Sequence, residues 1–291
     1  MTTLPPFELH RPGSVEEASG LLEQFGDDAV VYSGGTELLL VMKLGFADYP
    51  HLVDVKRIAE LRRLDLSDGV LEVGAAVTHL EVERSSIVRE RWPALASMER
   101  GVGNLRVRAM GTIGGNLCFA DPHSDPATFL LASGGSLVCR RANGPPRELP
   151  MEAFVEGPYQ TALQPGELLT AVRVPEPGPG AGIAHEKISL HERPAVTVTC
   201  LARVEDAQVT SARVAVGSVG NRPQRALDAE AALVGVPADG LDDRVSTAAE
   251  AAAEAANPVE DANGSVEYKR QLIRVLVARC ARTAVERARA A

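Results

Sequence analysis

Apolar and polar positions along the chain change period several times, and each change predicts an element. Ser14-Val15-Glu16-Glu17 has the form of a capping box, and Leu21, Leu22 and Phe25 behind it predict a helix that Gly26 ends. Ala29-Val30-Val31-Tyr32 is a short β-branched run that breaks off at Ser33-Gly34-Gly35-Thr36, and Leu52-Val53-Asp54-Val55 predicts a further strand. From Ile58 the character changes. Leu64-Asp65-Leu66 and Val70-Leu71-Glu72-Val73 flank Asp68-Gly69, the signature of a tight hairpin. Thr78 caps a short helix containing Leu80 and Val82, and a glycine-punctuated stretch from Gly101 to Gly115 follows Trp92-Pro93. A helix over 126–132 and a strand over 136–140 come next, with Gly134-Gly135 turning the chain between them.

The densest cluster of breakers, Pro175-Glu176-Pro177-Gly178-Pro179-Gly180, reads as a linker. After it, 196–203 and 209–216 predict a second hairpin, and two helices close the chain. The last starts at Ser265 and puts Ile273, Leu276, Val277, Cys280 and Ala284 on one stripe, flanked by Arg274, Arg279 and Arg282. The expected fold class is α+β in three lobes, 1–57, 58–175 and 176–291.

Composition narrows the chemistry. The 291 residues carry 30 Lys+Arg against 39 Asp+Glu, a net charge of −9, which does not suit nucleic-acid binding. No apolar run approaches a membrane span, and the N-terminus lacks the basic start and apolar core of a secretion signal, so a cytoplasmic protein is expected. Cys118, Cys139, Cys200 and Cys280 are widely separated, unlike the clustered thiolates of zinc or iron–sulfur sites, and read as reduced core thiols. An electron carrier used by this chain must therefore be organic or sit on another polypeptide.

The candidate chemistry lies in two similar glycine pairs. Ser33-Gly34-Gly35-Thr36-Glu37 follows a strand, and Gly111-Thr112-Ile113-Gly114-Gly115-Asn116 lies in the second lobe. Consecutive amides without a Cβ can cradle an anion, and two such loops from different lobes suit a pyrophosphate held between them. Taken singly, each is also compatible with a plain tight turn. Neither matches the P-loop or the G-x-G-x-x-G fingerprint.

With their surroundings, the segments S-G-G-T-E-L-L-L-V-M-K at 33–43, L-R-V-R-A-M-G-T-I-G-G-N-L at 105–117 and D-P-H-S-D-P-A-T-F-L-L-A at 121–132 resemble the FAD-binding medium subunits of molybdenum hydroxylases. Carbon monoxide dehydrogenase and the flavin domain of xanthine dehydrogenase exemplify the family. Phe7-Glu8-Leu9-His10-Arg11-Pro12, the stretch 73–78, Gly166-Glu167-Leu168-Leu169 and the stretch 264–270 agree in order. Two departures stand out: Ser33 where the family more often has alanine, and Thr36-Glu37 where carbon monoxide dehydrogenases carry histidine and serine.

The resemblance implies the FAD-binding fold of the vanillyl-alcohol oxidase and p-cresol methylhydroxylase type, two α+β lobes with a third attached. By position it implies that Ser33, Gly34, Gly35, Thr36 and Glu37 bind the pyrophosphate through amides, and that Thr112, Gly114, Gly115 and Asn116 complete the cradle. It places Asp125 at the adenosine end and Leu169 and Lys187 against the isoalloxazine. It further implies an oxidoreductase subunit that takes electrons from 2Fe–2S clusters of a small partner, fed by the molybdenum cofactor of a large one, in a dimer of heterotrimers. The acceptor would be a quinone, NAD or oxygen, and the absence of a dinucleotide fingerprint favours a non-NAD one. With no histidine in either loop, the FAD is expected to be non-covalent. A stand-alone FAD-dependent oxidoreductase would need an acid–base group near the loops, and the sequence offers no candidate; a non-catalytic nucleotide-binding scaffold would not need both glycine sets.

Other readings of the same residues stay open in the sequence. Asp125 before Pro126 suits a helix cap, and Lys187 a surface cation. Asp121, His123 and Asp125 look superficially like metal ligands, as do His185 and His191, but their spacing fixes no geometry and no metal is assigned. Arg106 and Arg108 either steer phosphate or face solvent.

Overall fold

The computed structural model describes residues 3–189 and 193–291 and is α+β; among the described residues it has three main sheets and one two-stranded hairpin sheet. The first lobe runs β1 (Glu8–His10), α1 (Val15–Phe25), β2 (Ala29–Tyr32), α2 (Leu38–Lys43) and β3 (His51–Asp54), with the strands parallel in the order β1-β3-β2. Ser14 Oγ accepts from the Glu17 amide at 3.1 Å, whereas the Glu17 carboxylate takes the amide of Gly13 at 2.7 Å instead of closing back on Ser14. Val15, Ala18, Val53, Val55, Ile58 and Leu61 form this lobe's core.

The second lobe opens with the hairpin β4 (Leu64–Ser67) and β5 (Val70–Gly74), whose turn residues Asp68 and Gly69 both have positive φ, 49° and 74°. Six helices follow: α3 (His79–Arg84), α4 (Ser86–Arg91), α5 (Pro93–Gly101), α6 (Leu105–Met110), α7 (Ile113–Phe119) and α8 (Asp125–Ser133). Then come β6 (Ser136–Arg140), β7 (Arg147–Pro150), α9 (Met151–Phe154), the small hairpin β8 (Val155–Gly157) and β9 (Gln160–Thr161), and β10 (Leu168–Pro175). The antiparallel sheet order is β4-β5-β10-β6-β7. The glycine-punctuated stretch expected between 101 and 115 is thus helical in two short pieces. Trp92, Leu95, Ile113, Leu117 and Phe129 lie in the core against this sheet.

The 175–180 segment is pinned by Arg203, whose guanidinium donates to the carbonyls of Pro177 and Pro179, each at 2.7 Å. It leads into the antiparallel sheet β11 (Ala181–Ile188), β12 (Val196–Glu205), β13 (Gln208–Gly217) and β14 (Gln224–Arg225), adjacent in that order. Three helices complete the lobe where two were expected: α10 (Leu227–Leu233), α11 (Asp242–Ala255) and α12 (Val266–Ala290). The stripe of α12 read from the sequence is its packing face, with Ile273, Leu276, Val277, Cys280 and Ala284 buried against β12 and α11. The flanking arginines pair outward, Arg274 with Glu250 and Arg282 with Asp242. Helix α8, buried along its whole length, packs between β10 and strands β12 and β13 and joins the second lobe to the third. Among the described residues no helix is long and apolar enough to cross a membrane.

Candidate cofactor site

The first glycine pair sits where β2 ends. Gly35 has φ +73°, and a Cβ built there would lie 2.4 Å from the Tyr32 ring. A Cβ on Gly34 would lie 2.4 Å from the carbonyl oxygen of Met110 and 2.7 Å from the Cα of Gly111. Glycine is required here because the main chains of two lobes touch. Among the described residues, the amides of Gly34, Gly35 and Thr36 meet no protein acceptor. Adjacent amides of this kind form a partial positive charge suited to an anion.

The second pair is not a free bend. Gly114 and Gly115 lie in the first turn of α7, and their amides are already used: Gly114 donates to the Ala75 carbonyl at 3.0 Å and Gly115 to Thr112 Oγ1 at 3.1 Å. Asn116 likewise donates to the Thr112 carbonyl at 2.9 Å. A Cβ on Gly114 would stand 2.5 Å from the Ala75 Cβ, so this glycine lets α7 seat on the end of β5. The expectation of an amide cradle in this segment is corrected accordingly. What the segment offers is the Thr112 hydroxyl, the Asn116 side chain and a backbone that leaves space. The two segments meet directly: Ser33 Oγ lies 3.1 Å from Thr112 Oγ1.

They enclose a cavity of about 570 Å³, within the ~300–1,000 Å³ usual for cofactor and small-molecule sites. Ser33, Gly34, Gly35, Thr36, Glu37, Thr112, Gly114, Gly115, Asn116, Asp125, Leu169 and Lys187 all line it. The structure changes how two of them relate. Lys187 Nζ forms a short ion pair with the Asp125 carboxylate and also donates to the Gly101 carbonyl at 2.8 Å; Thr197 Oγ1 donates to the same carboxylate at 3.1 Å. A salt-bridged pair shares one place on the wall. The two side chains therefore present one joint contact to whichever end of FAD lies there. Nor does Asp125 cap α8: the hydroxyl of Ser124 does, accepting from the Ala127 amide at 3.1 Å.

Asp121, His123 and Asp125 do not converge. His123 Nδ1 is 3.0 Å from Asp121, while Asp125 turns to Lys187. Arg193 reaches from the third lobe to Asp121 at 2.9 Å and Glu37 at 3.8 Å, tying all three lobes at the cavity. Burial would raise the Asp121 carboxyl, but hydrogen bonds from His123 and the Arg193 charge hold it below the usual range. His185 bonds Thr199 at 2.8 Å, and His191 lies outside the described residues. Arg108 is held by Glu83 at 3.0 Å, Arg106 is exposed, and neither lines the cavity.

Sequence reasoning missed Arg193 and, more consequentially, His79. The His79 amide donates to the Gly111 carbonyl at 3.0 Å, and its Nδ1 lies 2.6 Å from Glu99, with both side chains buried. His79 lines the cavity beside Gly111, so an acid–base group does stand near the glycine segments. Nothing local announces it, since the pair spans 20 residues and two helices. Cys118 also lines the cavity, but burial pushes its thiol up to about 12, which leaves it inert.

Residues 5–177 match the FAD binding domain in molybdopterin dehydrogenase, and residues 190–284 match the CO dehydrogenase flavoprotein C-terminal domain. This chain belongs to that family of FAD-binding subunits. The carbon monoxide dehydrogenase medium chain of Hydrogenophaga pseudoflava is 34% identical over 277 residues, covering 94% of this chain and 96% of that one. Caffeine dehydrogenase subunit beta of Pseudomonas sp. (strain CBB1) is 33% identical over 235 residues, 79% of each chain. In three dimensions, a chain of carbon monoxide dehydrogenase from Hydrogenophaga pseudoflava, lacking the Mo-pyranopterin moiety of its molybdenum cofactor, superposes with a TM-score of 0.94. That match covers 98% of this chain and 99% of the other, at 34% identity.

The family is one of molybdenum-hydroxylase oxidoreductases, and its subunit of this type carries FAD, with the molybdenum cofactor and iron–sulfur clusters on other subunits. The cavity fits such a group. Gly34, Gly35 and Thr36, whose amides have no protein acceptor among the described residues, line it, and glycines hold open space that side chains would fill. Ordinary redox thiol chemistry has no place on its wall.

Proposed function

We propose that this chain is the electron-transfer flavoprotein of a molybdenum-containing hydroxylase. It would take electrons from the 2Fe–2S clusters of a small partner subunit, which a large molybdenum-cofactor subunit supplies, and pass them to an external acceptor. The carrying observation is the junction of Ser33 and Thr112, through which segments of two lobes close one cavity lined with acceptor-free amides. When bound, FAD supplies one- and two-electron redox chemistry that no side chain here can supply.

The chain's own residues bind and orient. The amides of Gly34, Gly35 and Thr36 hold the diphosphate, while Thr112 and Asn116 set the opposite wall. Leu169 packs against the ring, and Lys187, partnered by Asp125, places a cation beside it. Glu37 fixes Arg193 across the lobes. The FAD is held without a covalent bond, since neither glycine segment contains a histidine.

Two observations support partners and a cytoplasmic setting. The four cysteines, 118, 139, 200 and 280, lack the close spacing of iron–sulfur ligands, which supports a donor cluster on another chain, and all four are free thiols. Exposed Leu40, Leu44 and Phe46 (81%) lie on or just past α2, and exposed Leu105 and Met110 lie on α6, the helices that leave and enter the two glycine segments. A dimer of heterotrimers would cover such surfaces. The test is to purify the chain alone and with its small and large partners. The chain alone should show a flavin spectrum, contain no iron, and release its FAD on denaturation; substrate should reduce the flavin only when the small subunit is present. A colourless chain that takes up no added FAD rejects the reading, and substrate turnover by the isolated chain points to a self-contained oxidoreductase instead.

A further inference from the structure

Away from the cavity, Glu8, His10 and His51 bring one ligand atom each within 4.8 Å of one another. Sheet register places them. Glu8 and His10 are two apart on β1 and share a face, and Glu8 stands beside His51 on the parallel neighbour β3. Phe25, the last residue of α1, stacks on His51 with ring centroids 3.8 Å apart and on His10 at 5.1 Å, which holds both imidazoles in place.

We propose that these three residues form a binding site for a borderline divalent metal ion such as Zn²⁺, with His10 Nε2, His51 Nδ1 and a Glu8 carboxylate oxygen as ligands. The two nitrogens are 3.0 Å apart. Ligands at roughly 2.0–2.1 Å from a tetrahedral ion lie about 3.3 Å apart, so an opening of a few tenths of an ångström admits it. Glu8 lies 3.9 Å from His51 Nδ1, too far for a hydrogen bond, and 3.9 Å from His10 Nδ1, the ring nitrogen other than the proposed ligand Nε2. Two imidazoles and one carboxylate select zinc-like ions over Mg²⁺ or Ca²⁺, which take oxygen ligands. Three protein ligands leave a fourth position for water or a group from another subunit.

None of the three residues lines the cofactor cavity, so the metal would clip β1 to β3 rather than take part in electron transfer. Zn²⁺ titrated against a competing chelator, with the full-length FAD-loaded chain, tests this. One Zn²⁺ per chain is expected, raising the melting temperature, with Mg²⁺ giving no rise. His10→Gln and His51→Gln should each weaken Zn²⁺ at least tenfold, and exposed Glu8→Gln severalfold, with FAD content unchanged in all three. Co²⁺ should give the ligand-field absorption of a tetrahedral site in the parent chain and lose it in His10→Gln. Zn²⁺ stoichiometry and affinity that survive the double variant His10→Gln/His51→Gln overturn the proposal, as does a parent chain that binds Zn²⁺ no better than that variant.

Discussion

Ser33 Oγ and Thr112 Oγ1 face each other at 3.1 Å across the boundary between the first and second lobes. Thr112 is buried and also caps α7 through the Gly115 amide, so its hydroxyl serves two partners. Among the described residues Thr112 is the partner of the Ser33 hydroxyl, so the Ser33 half of the contact is a single hydrogen bond.

The two positions should therefore respond unequally. Ser33→Ala removes one hydrogen bond and is expected to cost about 0.5–1.5 kcal/mol of stability, with FAD affinity within severalfold of the parent. Thr112→Ala loses the cap as well and should cost roughly 2 kcal/mol more, weakening FAD at least tenfold. Denaturant melts and flavin fluorescence titration measure both. Equal losses at the two positions would contradict the asymmetry.

The glycines test lobe contact apart from hydrogen bonding. Gly34→Ala drives a methyl into the Met110 carbonyl and the Gly111 Cα, both main-chain atoms that cannot rotate away. It is expected to loosen the cavity and reduce FAD binding at least tenfold. Gly20→Ala is the matched control, since it lies in α1 with nothing within 4 Å of the new methyl. There the change should stabilise the chain by about 0.5–1 kcal/mol. Thermal melts with and without added FAD separate the two outcomes.

The same contrast explains which parts of the site the sequence disclosed. Asp68-Gly69 and the turn after β2 were legible because their chemistry is local: left-handed backbone favours glycine and aspartate wherever it occurs. Gly114-Gly115 reads as a bend in the sequence because glycine disfavours helix, yet Thr112 caps the turn and close seating on Ala75 selects glycine there. Pairings such as Lys187 with Asp125, 62 residues apart, or His79 with Glu99 leave no periodic trace, because tertiary packing alone brings them together. The resemblance to flavin subunits names residues that gather at one cavity, but it does not reveal that Asp125 and Lys187 touch.

Acid sensitivity should come in two stages. Burial pushes the His185 imidazole from 6.5 down to about 4, with the Asp125 carboxylate only partly opposing it. The unfolded chain then takes up a proton at higher pH than the folded one. This contribution is whole above pH 6.5 and declines as pH falls toward 4, by on the order of 3 kcal/mol. Asp121 and Glu167 behave oppositely in origin: burial would raise them, but their hydrogen-bond partners, His123 for Asp121 and Arg147 for Glu167, hold them below 3.8 and 4.5, so their contribution is lost only in stronger acid. His185→Gln should flatten the stability profile between pH 6.5 and 4 and leave the steeper acid limb in place. Urea melts at half-unit pH intervals would show it.

The Lys187–Asp125 pair gives the sharpest test of the cofactor geometry, because its two halves should move the flavin in opposite directions. Asp125 is 5% exposed, and Lys187→Met would strand its carboxylate with only the Thr197 hydroxyl as a donor. Stranding a buried charge costs about 3–5 kcal/mol, and a lone carboxylate beside the ring disfavours added electrons. That variant should be markedly less stable and its flavin potential more negative. Asp125→Asn leaves Lys187 bonded to the Gly101 carbonyl and its positive charge uncompensated, which favours the reduced flavin. It should be the milder of the two in stability, with the potential shifted positive. Potentiometric titration of both variants against the parent decides the matter: shifts of opposite sign place the pair at the ring, whereas unchanged potentials with lowered stability would make it only a clamp between the second and third lobes.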